Sequence, residues 1–168
     1  MNNKIIIVGS APCAEADIRG IPDDLGAYDF MGIGLDAADK WKIYKYVVTY
    51  EPVDFPEFKR RREMLKYNTD YITASQEEKA GWVNCLFPEF IAPNVPYSGS
   101  STLLGVKVAL RFGYRKIILC GSPLDDPKYV QFRPGWLFVQ DMIRDTVRSM
   151  SGWTRTILGE PTEEWLNG

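Results

Sequence analysis

The sequence predicts an α/β fold: a Rossmann-like three-layer sandwich with a mostly parallel sheet. Two short β-branched runs, KIIIV at Lys4–Val8 and KIILC at Lys116–Cys120, read as strands buried on both faces, as in a parallel sheet covered by helices. Such runs alternate with helical segments along the chain. The stretch YSGSSTLLGVKVALRFGYRKIILCGSPLDD, residues 97–126, reads in order as a small-residue loop, a helix, a tight Gly turn, a buried strand and a polar loop. Both loops fall where open α/β sheets hold ligands.

The first strand, Lys4–Val8, ends at Gly9. A second, Tyr28–Ile33, closes at Gly34 before a short helical stretch over Asp36–Lys42, and a third, Tyr46–Tyr50, stops at Glu51-Pro52. Pro56 suits a first helical position and starts a helix over Glu57–Tyr67, with Phe58, Met64 and Leu65 on its buried stripe and Lys59 to Arg62 on its solvated surface. Tyr71–Ala74 is a short fourth strand, and Pro88, Pro93 and Pro96 break any long element over residues 76–97. Ser101 is placed to N-cap a helix through Phe112, with Leu104, Val108 and Phe112 on one face, Lys107 and Arg111 on another, and Gly105 allowing close approach to the sheet. Gly113 fits the left-handed position that ends helices. After the strand Lys116–Cys120 come a helix over Trp136–Met150, a last strand at Arg155–Leu158 and a terminal turn capped by Thr162.

At 168 residues, with no repeat or linker, the expectation is one domain over residues 1–168. A net charge of -2 gives no pull toward nucleic acid or an anionic membrane. No apolar run is long enough to span a bilayer, and the N-terminal run is too short for a secretory signal, so a cytoplasmic protein is expected. The three cysteines, Cys13, Cys85 and Cys120, form no CxxC pair and argue against a disulfide framework or thiolate zinc site. With no histidine in the chain, Ser-His-Asp and Cys-His catalysis and imidazole metal sites are excluded. The pattern sets no oligomeric state.

Three loops hold the polar residues suited to a ligand. In GSAPC, Gly9 and Ser10 leave room for backbone N–H groups near a phosphate, although the loop matches neither a Walker A nor a GxGxxG pattern and is also readable as an ordinary strand-to-helix turn. Ser98-Gly99-Ser100-Ser101 precedes a helix N-terminus, where oriented N–H groups favour phosphate or carboxylate. Gly121 and Ser122 open the loop after the fifth strand. Asp125 and Asp126 follow, as a base, as ribose ligands or as magnesium ligands. Glu51 and Asp36 sit at strand ends within reach of the same edge. Cys13 lacks a histidine to activate it, and Arg133, Arg144 and Arg148 flank the C-terminal helix as possible phosphate partners.

GSAPCAEADIRGIPDDLGAYDF, YVVTYEPVDF and STLLGVKVALRFGYRKIILCG, in this order, resemble the bacterial sialyltransferases of glycosyltransferase family 42 over residues 4 to 126. The same plan is similar to the MptE-like domain of 6-hydroxymethylpterin diphosphokinases, and the ending SMSGWTRTILGEPTEEWL resembles small bacteriophage proteins, whose setting is the host cytoplasm. The resemblance implies a CMP-type nucleotide or nucleotide-sugar as ligand. Gly9, Ser10, Ala11 and Pro12 would contact its phosphate and ribose; Gly34 and Glu51 would lie near the sugar or base; Ser100, Ser101 and Thr102 would face the phosphate or the sugar's carboxylate. The chain departs from the family in lacking its histidine base and in carrying Glu51 and Gly34 at or near its two asparagines. The expected activity is that of a minimal glycosyltransferase with Asp125 or Glu51 as base. Its alternatives are a non-catalytic nucleotide- or partner-binding protein and a diphosphokinase-like enzyme holding magnesium through Asp125, Asp126 or Asp36.

Overall fold

The computed structural model describes residues 3–77, 81–86 and 100–168. In chain order these form β1 (Lys4–Val8), α1 (Ala14–Arg19), β2 (Tyr28–Ile33), β3 (Tyr46–Val48), α2 (Phe55–Met64), β4 (Ile72–Ser75), β5 (Cys85–Leu86), α3 (Ser101–Arg111), β6 (Lys116–Cys120), α4 (Arg133–Ile143), β7 (Val147–Ser149), α5 (Gly152–Leu158) and α6 (Glu163–Asn167). The strands form one sheet in the order β5-β4-β3-β2-β1-β6-β7, with each neighbouring pair parallel.

Alternation along the central strands builds the three layers. Ile5 and Ile7 of β1 face one side with Ile117 and Leu119 of β6, under Leu104 and Val108 of α3 and Trp136 and Val139 of α4. Ile6 and Val8 face the other side with Ile118 and Cys120, under Ile18 of α1, Phe58 of α2 and Leu166 of α6. A period of two within fully apolar strands gives each face its own core. α3 presses onto the sheet at Gly105, where a Cβ would lie 2.6 Å from Ile33 Cδ1. The molecule is thus the parallel three-layer α/β sandwich expected.

Local assignments differ in four places. Asp36–Lys42 is no helix beyond a single turn at Leu35–Ala37. The carbonyls of Ala38, Trp41 and Lys42 accept from the Arg62 guanidinium at 2.9, 2.9 and 2.6 Å, in place of a helical ladder. α2 buries Phe55, Phe58 and Arg62, while Met64 is 71% exposed, so the stripe is rotated from the one expected and one of the basic residues belongs to the interior. The N-cap of α3 is Ser100, whose Oγ accepts from the Leu103 N–H at 3.2 Å, with Ser101 the first helical residue. The long helix expected over Trp136–Met150 stops at Ile143, and the last strand is β7. Arg155–Leu158 lies in α5, because Thr154 and Leu158 bury one helical face and override the local β preference of Thr156 and Ile157.

At the end of the sheet where β1 and β2 begin, Lys4 Nζ and the Tyr28 hydroxyl donate to Asp23 Oδ2 at 2.7 and 2.9 Å. The Lys4 hydrogen bond holds the Asp23 carboxyl below its ordinary 3.8, against the opposing effect of burial. A depressed carboxyl contributes stability above its unfolded pKa that is lost as pH falls through the folded value. Urea midpoints should therefore fall on acidification below about pH 4, and Asp23→Asn should remove about 1 kcal/mol of that dependence. An unchanged acid limb in the variant would show the pair to be inert.

Candidate functional site

β1, β2, β3 and β6 run parallel, so their C-terminal ends share one edge. The chain leaves β1 toward β2 on one side, while β6 pairs with β1 on the other. That is a topological switch point, where open α/β sheets leave a crevice. A cavity of about 510 Å3 opens there. Gly9, Ser10, Ala11 and Pro12 line it after β1, Gly34 and Asp36 after β2, Glu51 and Asp54 after β3, and Gly121 and Ser122 after β6. Ser100, Ser101 and Thr102 contribute the N-terminus of α3. Ser98 and Gly99 lie outside the described residues.

The loops after β1 and β6 are locked to each other. The Gly9 N–H donates to the Cys120 carbonyl at 2.8 Å and the Ala11 N–H to the Gly121 carbonyl at 3.1 Å. Gly9 thus serves close packing, and its amide, expected to approach a phosphate, is committed to the sheet. A Cβ at Gly9 would stand 2.3 Å from both the Gly121 carbonyl oxygen and Ser122 Oγ. Gly121 has φ +68°, and a Cβ there would meet Ala14 Cβ at 2.6 Å. Ser122 Oγ in turn lies 3.2 Å from Thr102 Oγ1, joining the β6 loop to α3.

At α3, the Ser100 hydroxyl is occupied by its capping bond and by Trp136 Nε1, which donates at 3.3 Å. The amides of Ser101 and Thr102 are first-turn donors with no intrahelical carbonyl to meet. Ser101 Oγ accepts the Tyr50 N–H at 3.4 Å, which leaves its own proton for a further acceptor. Oriented amides and the helix dipole make this the anion-favouring end of the cavity.

Part of the lining is acidic. Asp36, Glu51 and Asp54 share it, and the Asp54 carboxyl is pushed up from its ordinary value by burial and then by the charge of Asp36. Asp36 also pairs with Arg61 at 3.3 Å. Among the described residues no ion pair engages Glu51.

Asp125 is not on the cavity wall. Its Oδ1 accepts from Arg133 at 3.2 Å and from the Trp153 N–H at 3.1 Å, tying the β6 loop to α4 and α5. Arg133 also donates twice to the Leu124 carbonyl, at 2.8 and 3.1 Å, steadying a residue at φ +55°. That occupation keeps it from the phosphate role considered for it, and Arg148 is held against the Trp165 ring and the Leu158 carbonyl. Cys13 lies 3.4 Å from Ser151 Oγ, and burial pushes its thiol up, the reverse of an activated nucleophile. Among the described residues no three metal-ligating side chains converge.

Sequence reasoning missed Asp54, Lys128, Tyr129 and Phe132, all on the cavity wall. The last three belong to a turn over Pro127–Phe132 whose first amides are capped by Asp126, which accepts from the Lys128 N–H at 3.0 Å. The Asp-Pro pair opening it was the available signal.

No family model matches the chain, and none of the curated proteins does. Among solved structures, the fold is similar to that of the sialyltransferase CstII from Campylobacter jejuni in complex with a substrate analogue, cytidine-5'-monophosphate. The likeness has a TM-score of 0.61 at 15% identity and covers 95% of this chain and 85% of that one. The chain therefore has a sialyltransferase-like, Rossmann-type fold.

Proposed function

We propose that the cavity binds a nucleotide or nucleotide-sugar of the CMP type, its phosphate against the N-terminus of α3. The observation that carries this reading is the convergence of four strand-end loops and one helix N-terminus on a single crevice at the switch point. The Ser101 and Thr102 amides, the Ser101 proton and the Ser10 hydroxyl are its phosphate donors. The fold's likeness to a CMP-bound sialyltransferase supports the choice of nucleotide. As a transferase, the chain would use these donors to stabilise the charge that builds on the departing phosphate. Glu51 is then the carboxylate placed to take the acceptor's proton.

A second reading, binding without turnover, is favoured by the engagement of Asp125 with Arg133 and Trp153 and by the lack of any histidine. The diphosphokinase-like reading has less support, since Asp36 and Asp125 are both paired to arginines.

Thermal unfolding against CMP, CDP, CTP, CMP-sialic acid, UDP- and GDP-sugars and ATP, with and without magnesium, tests the proposal. A ligand at about 100 times its Kd adds roughly 2.7 kcal/mol, several degrees of midpoint. Ser101→Pro is the diagnostic variant: proline is accommodated at the first helical position, yet it removes both the amide and the hydroxyl assigned to phosphate. The expected result is a cytidine-nucleotide shift that Ser101→Pro abolishes, while the midpoint of the free protein falls only by the loss of the long Tyr50 N–H bond, about 1 kcal/mol. No shift with any nucleotide would end the proposal. Release of sialic acid from CMP-sialic acid separates the transferase from the binding protein.

A further inference from the structure

Outside the cavity lining lies a buried carboxylate. Asp17 of α1 is 8% exposed, and its Oδ2 accepts two hydrogen bonds. One comes from the Gly121 N–H at 2.8 Å, the other from the Ser151 hydroxyl at 2.7 Å. One acidic oxygen thus holds the loop after β6 and the loop between β7 and α5. Gly121 is the residue whose carbonyl receives the Ala11 N–H at 3.1 Å and which a Cβ on Gly9 would meet at 2.3 Å. The next residue, Ser122, reaches Thr102 at the start of α3.

We infer that Asp17 is a positioning residue. Its carboxylate fixes the orientation of the Cys120–Gly121 peptide and so sets the spacing of the β1 and β6 loops that line the cavity. This rests on the binding reading only for its effect on affinity; the effect on the loops stands without it. The physical reason is acceptor capacity. Two buried donors converge on one oxygen, and removing it leaves the Gly121 amide with no partner inside the fold. The Gly121 N–H shares its peptide plane with the Cys120 carbonyl, which accepts the Gly9 N–H at 2.8 Å, so with that peptide free to turn the β1 loop loses its first tie to β6. Because both bonds go to one oxygen, an amide oxygen can replace it, and charge is not the essential property.

The test compares Asp17→Ala with Asp17→Asn by hydrogen exchange in the ligand-free protein and by calorimetric titration with CMP and cytidine. In Asp17→Ala the Gly121 and Gly9 amides should lose about tenfold or more in protection, while those within β1 and β6 keep theirs. CMP affinity should fall by about tenfold, cytidine affinity should change by less than about twofold, and Asp17→Asn should restore both protection and affinity. A merely stabilising residue would lower protection across the sheet and leave the affinity of the folded fraction unchanged. Asp17→Glu keeps the charge but displaces the oxygen by a methylene, and gives the same reading if the alanine variant does not fold. Unchanged exchange at Gly121 and Gly9 in a folded variant overturns the inference. Failure of the wild-type protein to bind CMP, with exchange changed as described, overturns the binding reading and leaves the positioning role in place.

Discussion

Arg62→Ala should cost about 4 kcal/mol of stability and lower the midpoint by about 10 °C, the largest effect of any side-chain truncation away from the cavity. The guanidinium is fully buried and makes no ion pair among the described residues; neutral acceptors hold it instead. Its Nε donates to the Asn68 carbonyl at 2.7 Å, and its terminal nitrogens donate to three carbonyls between Ala38 and Lys42 and to Asn68 Oδ1 at 2.6 Å. The Tyr44 ring lies 4.5 Å from its centre. Burial draws its pKa below the ordinary guanidinium range, yet the group keeps its proton. Truncation leaves a void and strands the Ala38 and Trp41 carbonyls, while the Lys42 carbonyl keeps only the Asn68 N–H at 3.2 Å. Arg62→Lys should recover little, because one ammonium cannot reproduce a planar fork. Urea unfolding of the three proteins decides it, and a loss under about 1 kcal/mol for alanine would show that water replaces the guanidinium freely. The segment so held leads directly from Gly34 and Asp36, so the same variant should loosen one wall of the cavity.

Gly9→Ala should destabilise by about 3 kcal/mol and also abolish nucleotide binding. The methyl would enter the space of the Gly121 carbonyl and the Ser122 hydroxyl, and the former cannot retreat without breaking its bond to Ala11. β1 and β6 are then forced apart where the loops meet. Ser10→Ala provides the contrast: it changes the same loop but removes only a hydroxyl from the cavity wall, so it should weaken binding and leave stability within about 0.5 kcal/mol of wild type. Equal stability and affinity in Gly9→Ala and wild type would mean that the two loops are not rigidly joined.

The legible part of the fold was the part that depends on short-range pattern. After their leading lysines KIIIV and KIILC are apolar, and such a run fits a strand covered on both faces. The Ser-rich start and Gly113 end of α3 are local signals, and Gly113 does adopt φ +85°. What escaped depends on partners distant in sequence. Arg62 looked solvated among Lys59, Arg60 and Arg61 because its acceptors lie on another segment. The end of α4 and the strand β7 were unreadable because β7 exists by pairing with β6. The site followed the same division. Its loops could be located, since topology puts them at strand ends. Which donors stay available could not be read, because the Gly9 amide is taken by Cys120 across the sheet. Asp17 carried no local signal either, since the donors it orients come from β6 and from the turn before α5.

The pairing of β1 with β6 has a consequence for how the chain folds. Lys4 pairs with Lys116 and Val8 with Cys120, so the sheet's central seam joins two segments far apart in the sequence. Closing so long a loop is entropically costly, and parallel pairing of this kind forms late compared with helices or local turns. The crevice has one rim from each side of that seam. A collapsed intermediate with its helices in place but the seam open has neither rim opposite the other. Ligand recognition therefore reports completion of the long-range topology rather than the presence of secondary structure.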